Sequence, residues 1–330
     1  MRGRGINYDT GFFPGGRLSR ERFDPETVRE EMRVIADDLH CDAVRVSGGD
    51  AGRLAVAGRY AAEAGLEVWF APFPCDLTAE EMPAFFADCA EHAEDLRRGG
   101  AEVVFVTGCE LSLFATGFLP GADVFHRIDG VMSGAPEVVA AFGGVATKVN
   151  GFLAEAAGVV RERFGGRVTY ASGTWEAVDW TPFDVVSVDA YRDDANAAEF
   201  RAGLRRHFAS GKPVAVTEFG CCTYRGAAGR GGTGWMIADR HSEPPRINGD
   251  YVRDEAEQAT YLRELLEIFE EEEVDSAFWF TFAGYGLPHR PDPRRDLDLA
   301  SYGLIKFLDD DGLTWAPKEV FHALATAYAR

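Results

Sequence analysis

Eight times along the 330-residue chain a short apolar run of strand character gives way to a stretch of helical character. The runs are Gly5 to Asp9, Ala43 to Gly48, Glu67 to Pro74, Glu102 to Gly108, Arg167 to Ser172, Asp184 to Tyr191, Pro213 to Phe219 and Ser276 to Phe282. They are rich in Val, Phe and Tyr, the composition of strands buried on both faces. Amphipathic stretches lie between them: Pro25 to Leu39 behind an Asp24 N-cap, Pro136 to Phe164, and Tyr251 to Glu272 with its leucines on one face. Strict strand and helix alternation is the pattern of a parallel α/β fold. Eight units closing on a last helix at Pro317 to Tyr328 favour a closed (β/α)8 TIM barrel over a doubly wound sheet. No composition break marks a linker, so the expectation is a single domain over residues 1–330.

Three connections are long, Leu111 to Ala135, Cys221 to Asp250 and Ala283 to Ala316, and each follows a strand, the fourth, seventh and eighth. In a barrel, loops after strands gather at the C-terminal face and shape a pocket there.

A formal net charge of −20 repels phosphates, which argues against nucleic acid and anionic membranes as partners and favours a neutral ligand. Arginine outnumbers lysine 30 to 4, read as solvated surface. Six cysteines, Cys41, Cys75, Cys89, Cys109, Cys221 and Cys222, show no CxxC spacing, so reduced thiols are expected and a zinc ribbon is not. His126, His241 and His289 fall in the long loops without an HxH or HExxH pair, so no metal site is expected. The run Gly226 to Gly234 lacks the Gly-Lys-Ser/Thr ending of a phosphate loop and reads as a mobile lid. No cofactor is therefore expected. The start of the chain has no apolar stretch of about 7–15 residues of the kind a secretory signal needs, so a cytoplasmic location is expected. Oligomeric state is not legible.

Two glutamates close apolar strands: Glu110 after Val103-Val104-Phe105-Val106-Thr107-Gly108-Cys109, and Glu218 in Val214-Ala215-Val216-Thr217-Glu218-Phe219. An ionised carboxylate there costs several kcal/mol unless it is paired, so each demands a salt bridge or a function. Two of them facing one pocket favour function. Glycoside hydrolysis needs such a pair, one carboxyl protonated to assist the leaving group and one ionised to attack the anomeric carbon.

Over almost its whole length the chain resembles clan A of the glycoside hydrolases. The residues that carry the resemblance are Arg45 in Val44-Arg45-Val46, Glu110, Tyr191 in Asp189-Ala190-Tyr191, Glu218 in Thr217-Glu218-Phe219-Gly220, Trp279, and the ending Tyr302-Gly303-Leu304 with Pro317-Lys318. The resemblance implies a retaining glycosidase, with Glu110 as acid/base, Glu218 as nucleophile, Tyr191 hydrogen-bonded to the nucleophile and Arg45 holding it ionised. Retention implies carboxyl groups about 5–5.5 Å apart. The chain departs from the clan at Cys109, where an Asn usually meets the sugar 2-hydroxyl. An unusual substituent at C2, a substitute contact from Asn7 or Asn150, and loss of catalysis are all open. Cys109 as a nucleophile has no neighbouring histidine in sequence to support it. The chain also resembles bacterial, actinobacterial-type proteins labelled abortive infection factors, a label that carries no mechanism.

Aromatic residues near strand ends, Tyr8, Trp69, Phe73, Trp175, Trp180, Trp279 and Phe282, divide between sugar stacking and core packing; Trp175, Trp279 and Trp69 are taken as substrate-binding. Asp9 closes the first strand and either binds a hydroxyl or pairs with Arg45. The expected partner is a neutral carbohydrate or glycoconjugate, cleaved as a small glycoside or oligosaccharide. A catalytically silent carbohydrate-binding barrel and a transglycosidase of the same fold are the alternatives.

Overall fold

The computed structural model describes residues 1–239 and 242–329, so His241 lies outside the described residues. Eight parallel strands close into a barrel: β1 Gly3–Gly11, β2 Ala43–Gly48, β3 Glu67–Pro72, β4 Val103–Cys109, β5 Arg167–Gly173, β6 Val186–Asp189, β7 Val214–Phe219 and β10 Ser276–Trp279. Each pairs with its sequence neighbour, and β1 with β10 closes the ring. This is the (β/α)8 TIM barrel expected from the alternation. Two short antiparallel pairs decorate it, β8 Ala238–Asp239 with β9 Arg246–Ile247, and β11 Ile305–Phe307 with β12 Trp315–Pro317.

The helices are α1 Pro25–Arg33, α2 Ala51–Glu63, α3 Met82–Arg98, α4 Leu111–Phe114, α5 Val124–Ser133, α6 Pro136–Arg161, α7 Phe200–Arg205, α8 Glu255–Glu271 and α9 Glu319–Tyr328. Asp24 caps α1 by accepting from the Thr27 N–H at 2.9 Å. α8 starts four residues later than the leucine spacing predicts, because Asp254 accepts from the Glu257 N–H at 3.0 Å and fixes the first turn there. One unit departs from the alternation: β5 and β6 are joined without a helix. The short connection exposes carbonyls that a helix would have satisfied. Lys212 Nζ takes up three of them, donating to Trp180 O at 2.6 Å, Thr181 O at 3.3 Å and Phe183 O at 2.5 Å.

The pleat of the strands sorts side chains into two apolar clusters. Ile6, Val44, Val46, Phe70, Phe105, Val188, Val216, Phe219 and Trp279 pack outward against the helices, whereas Trp69, Val104, Val106, Cys109, Ala171, Ala215 and Phe278 fill the barrel interior. The N-terminal floor is closed by Glu67, which pairs with Arg2 and, at 3.0 Å, with Arg167. The three long connections expected after β4, β7 and β10 gather at the opposite, C-terminal mouth and carry α4 and α5, the β8–β9 pair and the β11–β12 pair. All six cysteines are free and buried. No helix among the described residues is long and apolar enough to cross a membrane.

Candidate active site

The strand alternation brings Asn7, Arg45 and Asp189 to the inside of the barrel near its mouth, and Cys109 and Glu218 join them across register shifts in β4 and β7. Arg45, 1% exposed, donates from Nη1 to Glu218 Oε1 at 2.6 Å and to Asn7 Oδ1 at 2.9 Å. Tyr191 donates its hydroxyl to Glu218 Oε2 at 2.9 Å. Both Glu218 oxygens thus accept from fixed donors, the arrangement that orients a carboxylate. Burial opposes the charge of Arg45, but Cys109, Glu218 and Asp189 around it raise its pKa, so it stays a cation. Burial and then Glu218 raise the Tyr191 phenol, so it remains a donor.

Glu110 is built differently. It adopts the left-handed conformation (φ 43°, ψ 46°), which a residue with a side chain avoids at a cost of about 1–3 kcal/mol unless its surroundings impose it. The surroundings do so. The Glu110 N–H donates to Ala171 O at 2.9 Å, and its carbonyl accepts from the Leu113 and Phe114 N–H groups at 2.9 and 3.0 Å. The turn that follows is pinned by Glu176, whose carboxylate accepts from the Ser112 N–H at 2.9 Å and from the Tyr170 hydroxyl at 2.7 Å, while Tyr170 accepts from the Leu111 N–H at 2.7 Å. The Glu110 carboxyl itself has no hydrogen-bond or ion-pair partner among the described residues. Burial, and then the charges of Asp189 and Glu218, raise its pKa well above the carboxylate range.

Cys109 donates to Asp189 Oδ2 at 3.3 Å and to Glu218 Oε1 at 3.6 Å. Burial and these two acids push its thiol pKa up, so Cys109 is a poor nucleophile in this setting. Asp189 is also pushed up, by burial and then by Glu218. Asn7 and Asn150, the two candidates to replace the missing Asn, are both engaged elsewhere. Asn7 donates to Thr217 O at 2.9 Å, and Asn150, on α6, donates to Ala177 O at 2.8 Å and accepts from the Asp179 N–H at 2.7 Å.

Of the three tryptophans taken as substrate-binding, Trp175 reaches the mouth and the other two do not. Trp175 is 46% exposed and donates to Ser112 Oγ at 3.1 Å, two residues beyond Glu110. Trp279 is not brought to the pocket. The pleat turns it outward, where its ring meets Phe219 edge-on at 5.4 Å and its indole N–H donates to Tyr302 O at 3.1 Å. Trp69 does point inward but lies low in the barrel, donating to Glu67 Oε1 at 2.8 Å and packing on Phe278 at 4.8 Å. Asp9 forms no ion pair with Arg45; it accepts from the Gly11 N–H at 2.7 Å and Ser19 Oγ at 2.8 Å.

The mouth has aromatic walls the sequence did not single out as a group. Phe73 contacts Phe12 at 4.7 Å and Phe114 at 4.8 Å, and Trp235 and Met236 pack on the same interior cluster from the loop after β7. The glycine-rich run that leads to Trp235 is held in place rather than hanging free: Gly231 O accepts from the Tyr302 hydroxyl at 2.7 Å. A Cβ at Gly232 would lie 3.1 Å from the ring of Tyr191, so the loop backbone packs closely on that side chain. Asp189 and Glu176 are the other additions. Asp189 ends a short apolar strand, the signal that marked Glu110 and Glu218, whereas nothing in the sequence marks Glu176.

No family model matches the chain, and no curated protein does. Solved structures do. The β-mannanase AaManA of family GH113 from Alicyclobacillus acidocaldarius, in complex with ManMIm, superposes with a TM-score of 0.64 at 16% identity over 99% of this chain and 97% of that one. A complex of a GH113 β-1,4-mannanase gives 0.63 at 17% identity over 100% and 99%. The hyperthermostable endo-1,4-β-D-mannanase of Thermotoga petrophila RKU-1 gives 0.53 at 11% over 100% and 99%. The likeness is one of fold over nearly the full length of each chain.

Proposed function

We propose that the protein is a retaining glycoside hydrolase acting on a neutral small glycoside or oligosaccharide. The observation that carries this reading is the contrast between two carboxyl groups at one barrel mouth. Glu218 is gripped by Arg45 and Tyr191, and Glu110 is partly buried, unpaired and shifted toward its protonated form. Environments that push two acids apart assign their roles. Glu218 attacks the anomeric carbon as the glycosidic C–O bond breaks, and the proton of Glu110 passes to the departing oxygen. Water then attacks the glycosyl ester; Glu110 takes one of its protons, the ester C–O bond breaks, and both carboxyls return to their starting states. Trp175 and the Phe12, Phe73 and Phe114 wall supply apolar faces for the sugar. The mannanase likeness supports a carbohydrate substrate and puts β-mannosides first among those to assay.

The reading is tested by trapping. A 2-deoxy-2-fluoro glycoside with an activated leaving group should inactivate the enzyme and add one glycosyl mass to the peptide bearing Glu218; labelling of any other residue removes Glu218 from its role. Glu110 gives a separate prediction. Glu110→Ala should lower kcat/KM by about 10²–10⁴-fold on glycosides with poor leaving groups, yet only slightly on dinitrophenyl glycosides, whose departure needs no proton. Since the acid form is the active one and its pKa is raised, the alkaline limb of wild-type kcat/KM should lie above the ordinary carboxylate range, and this limb should vanish in Glu110→Ala assayed on the activated substrate.

A further inference from the structure

Cys109, Asp189 and Glu218 each present one donor atom, and the three atoms lie within 4.8 Å of one another inside the barrel. We propose that this trio binds one divalent cation of borderline softness, with Zn²⁺ the best fit, and that the bound ion silences the site. Zinc held at about 2.3 Å from a thiolate and about 2.0–2.2 Å from carboxylate oxygens in tetrahedral geometry sets a sulfur to oxygen edge of about 3.5 Å. The two such edges here are 3.3 Å to Asp189 and 3.6 Å to Glu218. A sulfur donor beside two carboxylates selects Zn²⁺ over Ca²⁺ and Mg²⁺, which take oxygen alone.

A second observation points the same way. Asp189 is 3% exposed: its Oδ2 faces the Cys109 thiol, and its Oδ1 is a buried acceptor without a hydrogen-bond partner, so this carboxylate keeps acceptor capacity that ligation would use. Charge agrees. Three ionised donors against the one guanidinium of Arg45 leave two negative charges, which a divalent ion cancels. Arg45 occupies one lone pair of Glu218 Oε1 and leaves the other free for the ion. Glu218 is the most accessible of the three, so the ion enters from the pocket, and the fourth position falls to water. On coordination the Cys109 thiol gives its proton to solvent. The binding stands on geometry alone; the silencing rests on the glycosidase reading, because a Glu218 oxygen bonded to the ion cannot attack an anomeric carbon.

The test uses chelator-treated protein. Cd²⁺ titration of the wild type should raise an ultraviolet thiolate charge-transfer band saturating at one ion per chain, and Zn²⁺ should bind with the same stoichiometry by calorimetry. Cys109→Ser should lose the band, Asp189→Asn should weaken Zn²⁺ at least about tenfold, and Cys222→Ser, at a buried thiol outside the trio, should change neither. Zn²⁺ should also raise the wild-type Tm in proportion to the logarithm of its concentration, a readout that needs no variant to fold. A wild type without the band, a band that survives Cys109→Ser, or an unmoved Tm overturns the site. These readouts need no sugar. An inactive protein that binds zinc fails only the glycosidase reading, and an active one without the band fails only the metal site.

Discussion

Glu218→Gln is expected to abolish turnover while leaving the barrel intact, with kcat falling on the order of 10⁴-fold or more. The amide keeps the shape of the carboxylate and still accepts through its oxygen from Arg45 or Tyr191, so far-ultraviolet circular dichroism should match the wild type. What it loses is the charge and lone-pair nucleophilicity that form the glycosyl ester. Steady-state kinetics on an aryl glycoside measure the loss. A variant retaining more than about one per cent of the wild-type kcat would show that Glu218 only positions the sugar.

Arg45→Met should be the most damaging change to stability in the site. Methionine fills much of the volume of the arginine stem but strands Glu218 beside Asp189 and Cys109 with no cation among them. Removing one member of a buried pair costs about 3–5 kcal/mol, chiefly through the charge left behind. Since Glu218 is 14% exposed, about 3 kcal/mol is the expected loss by denaturant unfolding. With its preorganised donor gone, kcat should fall about a hundredfold or more. The double variant Arg45→Met, Glu218→Gln should regain part of that stability, because the stranded charge is then absent. If the two losses simply add, the Arg45 and Glu218 contact contributes nothing to folding.

Much of this architecture was readable in the chain because barrel strands announce themselves twice, by apolar β-branched runs and by regular spacing. Glu110 and Glu218 stood out for one physical reason, that a charge at the end of such a run needs a partner or a purpose, whereas Arg45 was reached only through the resemblance to clan A. Asp189 was passed over because its expected strand runs on to Tyr191, two residues beyond the end at which Asp189 stands. The tryptophans show where one-dimensional reading stops. Trp279 sits at a strand end as a pocket residue would, but a single step of the pleat turns it outward onto Phe219. Trp69 faces inward, yet depth in the barrel depends on the stagger of neighbouring strands, which no local pattern reports. Glu176 was invisible because its role arises from long-range hydrogen bonds to the turn after Glu110. The aromatic wall of Phe12, Phe73 and Phe114 is assembled likewise from loops distant in sequence.

The most direct test of the central claim, that Glu218 forms a covalent bond to the sugar, is azide rescue. Glu218→Ala is incubated with a panel of aryl glycosides, β-mannosides, furanosides and 2-modified sugars included, with and without sodium azide. In the variant Arg45 is left without its carboxylate partner and offers a cation to the small anion. The account predicts turnover by the wild type with retained anomeric configuration, almost none by the variant alone, and azide-dependent recovery that yields a glycosyl azide of the opposite configuration. A wild type that binds a sugar in calorimetry but turns over none of the panel, or a Glu218→Ala enzyme as active without azide as the wild type, would contradict it.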